Sequence, residues 1–361
     1  MKNILTRSII LEILLTTLAV TVVLMIVFVI SDIAKYLALA LEGKLSLANV
    51  LLLISLNIPL IASEFLPLSA LLGVLLVFGR MAQDSELVIL LASGVGFRDI
   101  YKMIFKLSLV MAIFLAIISL NIFPMVKHKI TAIKRDINTG ASLENITAGR
   151  FYELSGGNRV IYIKDIVNGE MKDIFLHIIE KDKRHILKAQ YGKIELDSKG
   201  NKILSLYDGS RYSNTLGSLE YNIIHYQQHS VLLVAKKPSA LDQNVKTLST
   251  WQLLGNLGNR EVKAELQWRV SIPIMIVVMM IIGVSLSKQD SRAGKFSKIL
   301  PGVLLFFFYL NFINVSKHKV IAGEMNPDIG LWAVHFVFFV ITAFLVWLSI
   351  KSLKTPKNAN N

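Results

Sequence analysis

With 361 residues, 53% of them hydrophobic, and a mean hydropathy of +0.56, the chain is too apolar for an ordinary soluble protein, and its apolar residues come in long blocks. The 39 Lys and Arg exceed the 25 Asp and Glu by 14, yet these basic residues flank apolar blocks instead of forming a patch interleaved with aromatics. That pattern excludes nucleic acid as a partner and reads as a topology signal.

The first apolar block, Ile13 to Ile30, runs 18 residues without a charge, which at about 1.5 Å per residue makes one membrane crossing. It is longer than a signal-peptide core and lacks a small-residue cleavage site, so a retained span is expected. Leu45 to Gly79 follows with one charge, Glu64. As a straight helix it would reach roughly 50 Å against a hydrocarbon core of about 30 Å, so a bend or an interfacial part is expected, with Pro59 and Pro67 as break points. Glu64 between them is expected to face a water-filled cavity, the exposed end of an interfacial helix being the other reading. Leu107 to Val126, Val270 to Ser287, Ile299 to Ser316 and Ile329 to Ile350 add four spans, the last interrupted by His335 and Thr342. Six spans therefore stand three on each side of a polar middle.

Lys and Arg near span ends fix the expected orientation. One side carries Lys2, Arg7, Arg80, Arg98, Lys102, Lys106, Lys288, Arg292, Lys295, Lys298, Lys351, Lys354 and Lys357, and the short loops of the other carry Lys35, Lys44, Lys317 and Lys319. The rich side is expected to be cytoplasmic. Both termini lie there, and the polar middle lies in the periplasm of a bacterium with two membranes.

On the cytoplasmic side Gly79 to Gly94, GRMAQDSELVILLASG, interrupts the apolar pattern. It reads as one short helix, Glu86 to Ala92, capped by Asp84 or Ser85 and closed by Ser93 and Gly94. Asp84 and Glu86 suit the positive end of the helix dipole, and with Arg80 they offer charges that a soluble partner could grip. An ordinary capped connector is the other reading of the same spacing.

The polar middle, Lys127 to Glu265, alternates with a period of two at Val160 to Asp165, Asp173 to Ile179, Lys193 to Leu196, Ile203 to Tyr207 and Tyr221 to Val234. Turn signals separate these runs at Ser155 Gly156 Gly157 Asn158, Asn168 Gly169, Ser198 Lys199 Gly200 Asn201 and Asp208 Gly209. An antiparallel sandwich or open barrel is expected. A helical stretch, Thr247 to Leu266, returns the chain to the membrane. The sequence has no P-loop, so any ATP is bound by a partner, and no cofactor is expected in this chain. It has no cysteine, which removes disulfides and thiolate ligands. His225 and His229 sit four apart in a strand pattern, about 13 Å along one face, and cannot share one ion, so no metal is expected.

The order Gly79 Arg80, Asp84 Ser85 Glu86 Leu87 and Ala92 Ser93 Gly94, after a segment holding Ile58 Pro59 and Leu66 Pro67 Leu68, resembles the lipopolysaccharide export permeases, the LptF and LptG family. Ala264 Glu265 Leu266 Gln267 Trp268 Arg269 is similar to the LptF branch, where it leads back into the membrane. The resemblance covers essentially the whole chain. It implies an α-helical polytopic membrane protein with six transmembrane helices, 3+3, and an inserted all-β jellyroll-like periplasmic domain. The expected division is 1–126 with a cytoplasmic coupling helix at 84–94, a β domain at 127–246, a helical return at 247–268 and the last three spans at 269–361.

The same resemblance implies one permease subunit of an ABC transporter in the bacterial inner membrane. By that resemblance the chain itself would not be an enzyme. It would pair with an LptG-like second permease, carry a cytoplasmic LptB-like ATPase dimer, and deliver lipopolysaccharide to LptC-like single-span and LptA-like bridge partners. In the family the Glu of the Ser85 Glu86 pair meets a basic residue of the ATPase, which makes Arg80, Asp84, Ser85 and Glu86 the coupling candidates. A basic residue at the outer end of the first helix meets the lipid's phosphates, which points to Lys35; a lysine snorkelling to the interface is the other reading, and Asp32 could pair with it. Lipid enters between the first helix of one permease and the fifth of the other, so Leu304, Phe307 and Phe308 are candidates for an apolar gate. Glu12 and Arg269, close to span ends, need no role beyond anchoring. Two alternatives are a permease for another lipid or lipoprotein, and a membrane scaffold or sensor whose β domain binds a periplasmic ligand.

Overall fold

The computed structural model describes residues 2–41, 45–138, 148–154, 158–167, 169–180, 183–197, 202–215, 220–234, 244–287 and 298–351. Lys44, Lys288, Arg292, Lys295, Lys354 and Lys357 lie outside the described residues, as do the turn signals at Ser155 to Gly157, Asn168 and Ser198 to Asn201. The chain divides into two compact units, one of residues 1–30, 56–127 and 245–361, the other of residues 31–55 and 128–244.

The first unit is helical. Its elements are α1 (Lys2–Leu41), α2 (Leu47–Gln83), α3 (Glu86–Ala92), α4 (Phe97–Ile117), a π-helical segment (Ile118–Ile122), the start of α5 (Phe123–Asn138), α6 (Thr250–Leu254), α7 (Arg260–Ser287), α8 (Ile299–Ala322) and α9 (Trp332–Lys351); α1 and α2 continue into the second unit. Among the described residues six helical runs are long and apolar enough to cross a membrane.

Pro59 and Pro67 do not break the second of them. Both lie inside one 37-residue helix, so neither proline ends it. In a membrane-type bundle packing against neighbours holds a helix through a proline. Around Pro67 the residues Leu68, Ala70, Leu71, Val74, Leu75 and Phe78 are all buried. The third span departs from a plain helix instead, through its π segment, and the return stretch is two helices separated by Gly255 to Asn259. Ser249 caps α6 with Gln252 in a reciprocal pair.

Burial divides the helices into core and periphery. The most apolar windows of α2 and α7 are each 61% buried, against 17% for α1, 28% for α8 and 22% for α9. One buried cluster joins Ile9 and Ile13 of α1, Val74 and Phe78 of α2, Leu87 and Leu90 of α3, Ile100 and Ile104 of α4, and Ile276 and Met280 of α7. A second joins Leu71 and Leu75 of α2 to Met275 and Met279 of α7, Phe306, Tyr309 and Ile313 of α8, and Phe338 of α9.

The second unit holds an antiparallel sheet of β1 (Arg150–Leu154), β2 (Arg159–Val167), β3 (Glu170–Glu180), β4 (Lys183–Leu196), β5 (Lys202–Thr215) and β6 (Asn222–Val234). Each strand pairs with the next in sequence, the order of a meander and not the interleaved order of a jellyroll. Alternation puts Ile161, Ile163, Ile174, Leu176, Ile178, Leu187, Leu204 and Leu206 into one core.

The Asp208 Gly209 pair is not a turn. It lies inside β5, with Gly209 opposite Ala189 on β4 and Tyr226 on β6. Asp208 has φ of 51°, in the left-handed region that Asp tolerates more readily than most residues. A Cβ at Gly209 would stand 2.1 Å from the Lys188 carbonyl oxygen and 2.5 Å from the Tyr226 hydroxyl. The glycine leaves room for Tyr226 to reach across and donate to the Lys188 carbonyl at 3.0 Å.

Candidate functional site

The helix α3 covers Glu86–Ala92, the range read from the sequence, but neither expected cap side chain caps it. Ser85 stands at the N-cap with φ of 58° and makes no side-chain cap hydrogen bond, and Asp84 turns back to Arg80. Arg80 is the centre of the cluster. Its Nε and Nη2 donate to the two oxygens of Glu12 on α1, both at 2.9 Å, while Nη1 donates to Glu86 at 3.1 Å and Asp84 at 3.3 Å. The planar five-donor guanidinium suits this two-sided grip, which a lysine could not reproduce. Three carboxylates thus share one guanidinium, and the excess of negative charge faces outward.

The rest of α3 is amphipathic. Leu87 and Leu90 are buried in the helical core, while Val88 and Ile89 stand 63% and 67% exposed beside Glu86. A cavity of about 220 Å³ lies on the buried side of α3, lined by Leu5, Thr6, Ile9, Leu90, Val95, Asp99, Ile100 and Met103.

The lipid-facing candidates are exposed as well. Lys35 lies near the end of α1 with its ammonium 6.0 Å from the Tyr36 ring, and among the described residues no ion pair joins it to Asp32. Lys134 on α5 lies within electrostatic reach of both. Leu304, Phe307 and Phe308 share one outward face of α8 with Leu300 and Phe312. Their neighbours Phe306 and Tyr309 are fully buried, so the aromatic run divides between the core and the outer face. Tyr309 stacks on Phe338 with ring centroids 3.9 Å apart, and its hydroxyl meets His335 Nδ1 at 2.6 Å.

Arg269, expected only to anchor a span end, sits in a buried polar knot with Glu265. Arg269 is fully buried, bonded to Glu265 at 3.1 Å and to the carbonyls of Lys246 and Leu248 at 3.2 and 3.0 Å. The second Glu265 oxygen takes Lys317 of α8 at 2.7 Å, and that ammonium lies 4.7 Å from the Trp268 ring. The π segment joins the same knot. Ser119 donates to the Arg269 carbonyl at 2.8 Å, and Thr250 donates to the Leu120 carbonyl. Glu64 is exposed on α2, with Lys127, Lys317 and Lys246 as the charges facing it. The i,i+4 spacing of Glu265 and Arg269 was the sequence signal for the knot. Glu12 had only its rarity as a charge within an apolar helix.

In the β domain His225 Nδ1 lies 2.8 Å from the Ser210 hydroxyl, and the His229 ring packs 5.2 Å from Tyr226. Burial, then the nearby Arg211 guanidinium, holds His185 and His229 below the ordinary imidazole range. Burial pushes the Tyr226 phenol up to about 12.

Residues 7–348 match the model of the lipopolysaccharide export system permease LptF/LptG family. The chain belongs to that family. The LptF proteins of Escherichia coli K12, E. coli O157:H7 and Shigella flexneri are each 24% identical to it over 346 residues, 94% of this chain and 93% of theirs. With its six membrane-length helices and inserted antiparallel sheet, this LptF/LptG member is a multi-pass inner-membrane permease subunit of lipopolysaccharide export.

Proposed function

We propose that this permease is one half of an ABC transporter that takes lipopolysaccharide from the outer leaflet of the inner membrane and hands it to its own β domain, and from there to a periplasmic bridge. The observation that carries this reading is the uneven burial of the helices. An 18-residue window that is only 17% buried in α1, and one 28% buried in α8, leave apolar faces for lipid and for a second permease. The pairing reading takes an LptG-like subunit as that second permease, with lipid entering between α1 of one and α8 of the other. Leu304, Phe307 and Phe308 then meet acyl chains, and Lys35 meets a headgroup phosphate.

In this reading both termini and α3 are cytoplasmic and the sheet is periplasmic. ATP is bound by an LptB-like dimer docked on α3, where Glu86 and the exposed Val88 and Ile89 offer an acidic and apolar grip. LptC-like and LptA-like partners receive the lipid. Glu86→Ala tests the coupling. The variant is expected to copurify with less ATPase, or to hydrolyse ATP without releasing lipid, while the sheet stays folded. Normal amounts of ATPase together with normal export would remove α3 from the coupling role.

A further inference from the structure

The contacts of Arg80 extend beyond α3. Of its four carboxylate contacts, two are to Glu12, which immediately precedes the apolar block of α1, and two are to the entry and first turn of α3. One planar group therefore joins the coupling helix to the helix that shows the largest unpacked face of the bundle. The side chains of Arg80 and Glu12 are 34% and 36% exposed, so the tie is wet enough to form and break, and its two-pronged geometry gives it direction.

A second point fixes α1 to α2 further along. A Cβ on Gly73 would stand 2.3 Å from the Thr17 hydroxyl and 3.2 Å from the Ile13 carbonyl, so the two backbones meet closely there. Near these points α1 packs through Ile9 and Ile13 into the same core as Leu87 and Leu90 of α3. Beyond Thr21 it shows Val22, Val23, Ile26 and Val27 to the outside. A helix held by an ion pair on one side of a close contact with its neighbour, and exposed on the other, has the anatomy of a lever, with the Gly73 contact as fulcrum.

We propose that Arg80 is a positioning residue that ties α3 to α1, so that a push received by α3 tilts α1 about the Gly73–Thr17 contact and moves the exposed face along which lipid passes. This rests on the reading of α3 as the ATPase-coupling helix. Glu12 is the informative position, because it touches Arg80 without belonging to α3. In proteoliposomes holding the full complex with its second permease and ATPase, Glu12→Gln is expected to lower lipopolysaccharide released per ATP hydrolysed by about fivefold, the factor a partly exposed ion pair carries. ATPase copurification stays at the wild-type level.

The chain has no cysteine, so a covalent replacement can be installed cleanly. Glu12→Cys combined with Arg80→Cys is expected to be uncoupled, and a short bifunctional thiol linker across the pair is expected to restore most of the yield. A merely structural ion pair would change thermal stability in step with release and would gain nothing in yield from the linker. An unchanged yield in Glu12→Gln, or a linker that blocks release, overturns the proposal. If Glu86→Ala is also silent in the same assay, it is the coupling role of α3 that has failed; if Glu86→Ala uncouples and Glu12→Gln does not, only the tie to α1 is wrong.

Discussion

Replacing Glu265 by Gln keeps the size of the side chain and removes its charge at the centre of the buried knot. Arg269 is 0% and Glu265 2% exposed, and the Lys317 side chain is 11% exposed, so water cannot take over the lost compensation. The carboxylate divides between the two cations at 3.1 and 2.7 Å, and its loss leaves both facing each other across a neutral amide. Removing one partner of a buried ion pair costs about 3–5 kcal/mol. The Lys246 and Leu248 carbonyls still hold the Arg269 guanidinium but carry no net charge, which keeps the expectation in that range. The assay is reversible unfolding in mixed micelles of lipid-like detergent and SDS, followed by helix content. Glu265→Gln combined with Lys317→Gln is expected to be more stable than Glu265→Gln alone, because one uncompensated cation is gone. A single-variant cost under about 1 kcal/mol, the worth of an exposed pair, would refute the account of the knot as a dry, charge-balanced joint.

Three further expectations follow from named contacts. Gly209→Ala drives a methyl group into the Lys188 carbonyl and the Tyr226 hydroxyl and is expected to destabilise the sheet by about 1–3 kcal/mol, read as faster hydrogen exchange in β4, β5 and β6. His185 is held below its ordinary value, so the unfolded chain takes up the proton first: its stabilising effect is complete above about pH 6.5 and is lost as pH falls through the folded-state value, and His185→Gln should flatten that part of the sheet's pH profile. Lys35→Glu is expected to reduce photo-crosslinking of lipopolysaccharide to the outer end of α1 with assembly intact, and unchanged crosslinking would return Lys35 to the role of an interfacial anchor.

The six membrane-length runs and α3 were legible because each is a block of apolar residues bounded by charges, and block length is a property of sequence alone. Strand positions were legible wherever one face is buried, as at Ile161 and Ile163. What escaped depended on partners distant in sequence. Pro59 and Pro67 look like breaks until α2 is packed, and Asp208 Gly209 looks like a turn until Tyr226 crosses it. Glu12 and Arg80 are 68 residues apart, and no local pattern announces their pairing. Lys317 is 52 residues from Glu265, so of that knot only the i,i+4 part could be read. The coupling and lipid-facing candidates came from the order of short motifs; the Arg80 hub that joins two of their helices came from coordinates alone.

The π segment of the third span carries a consequence for angular phase. An α-helix advances about 100° per residue, and a run with one extra residue per turn sets back everything after it relative to an unbroken helix. Phe123, the first residue beyond Ile122, owes to that offset its position 5.0 Å from the Trp268 ring, with the Arg269 guanidinium 5.9 Å from its centroid. Winding Ile118 to Ile122 as a plain α-helix would leave the span long enough to cross a bilayer and its hydropathy unaltered. It would nonetheless rotate the whole of the helix beyond, Lys127 included, by about a quarter of a turn. In this chain the length of the third span sets how far it reaches, and the Ile118–Ile122 segment sets which way it faces on arrival.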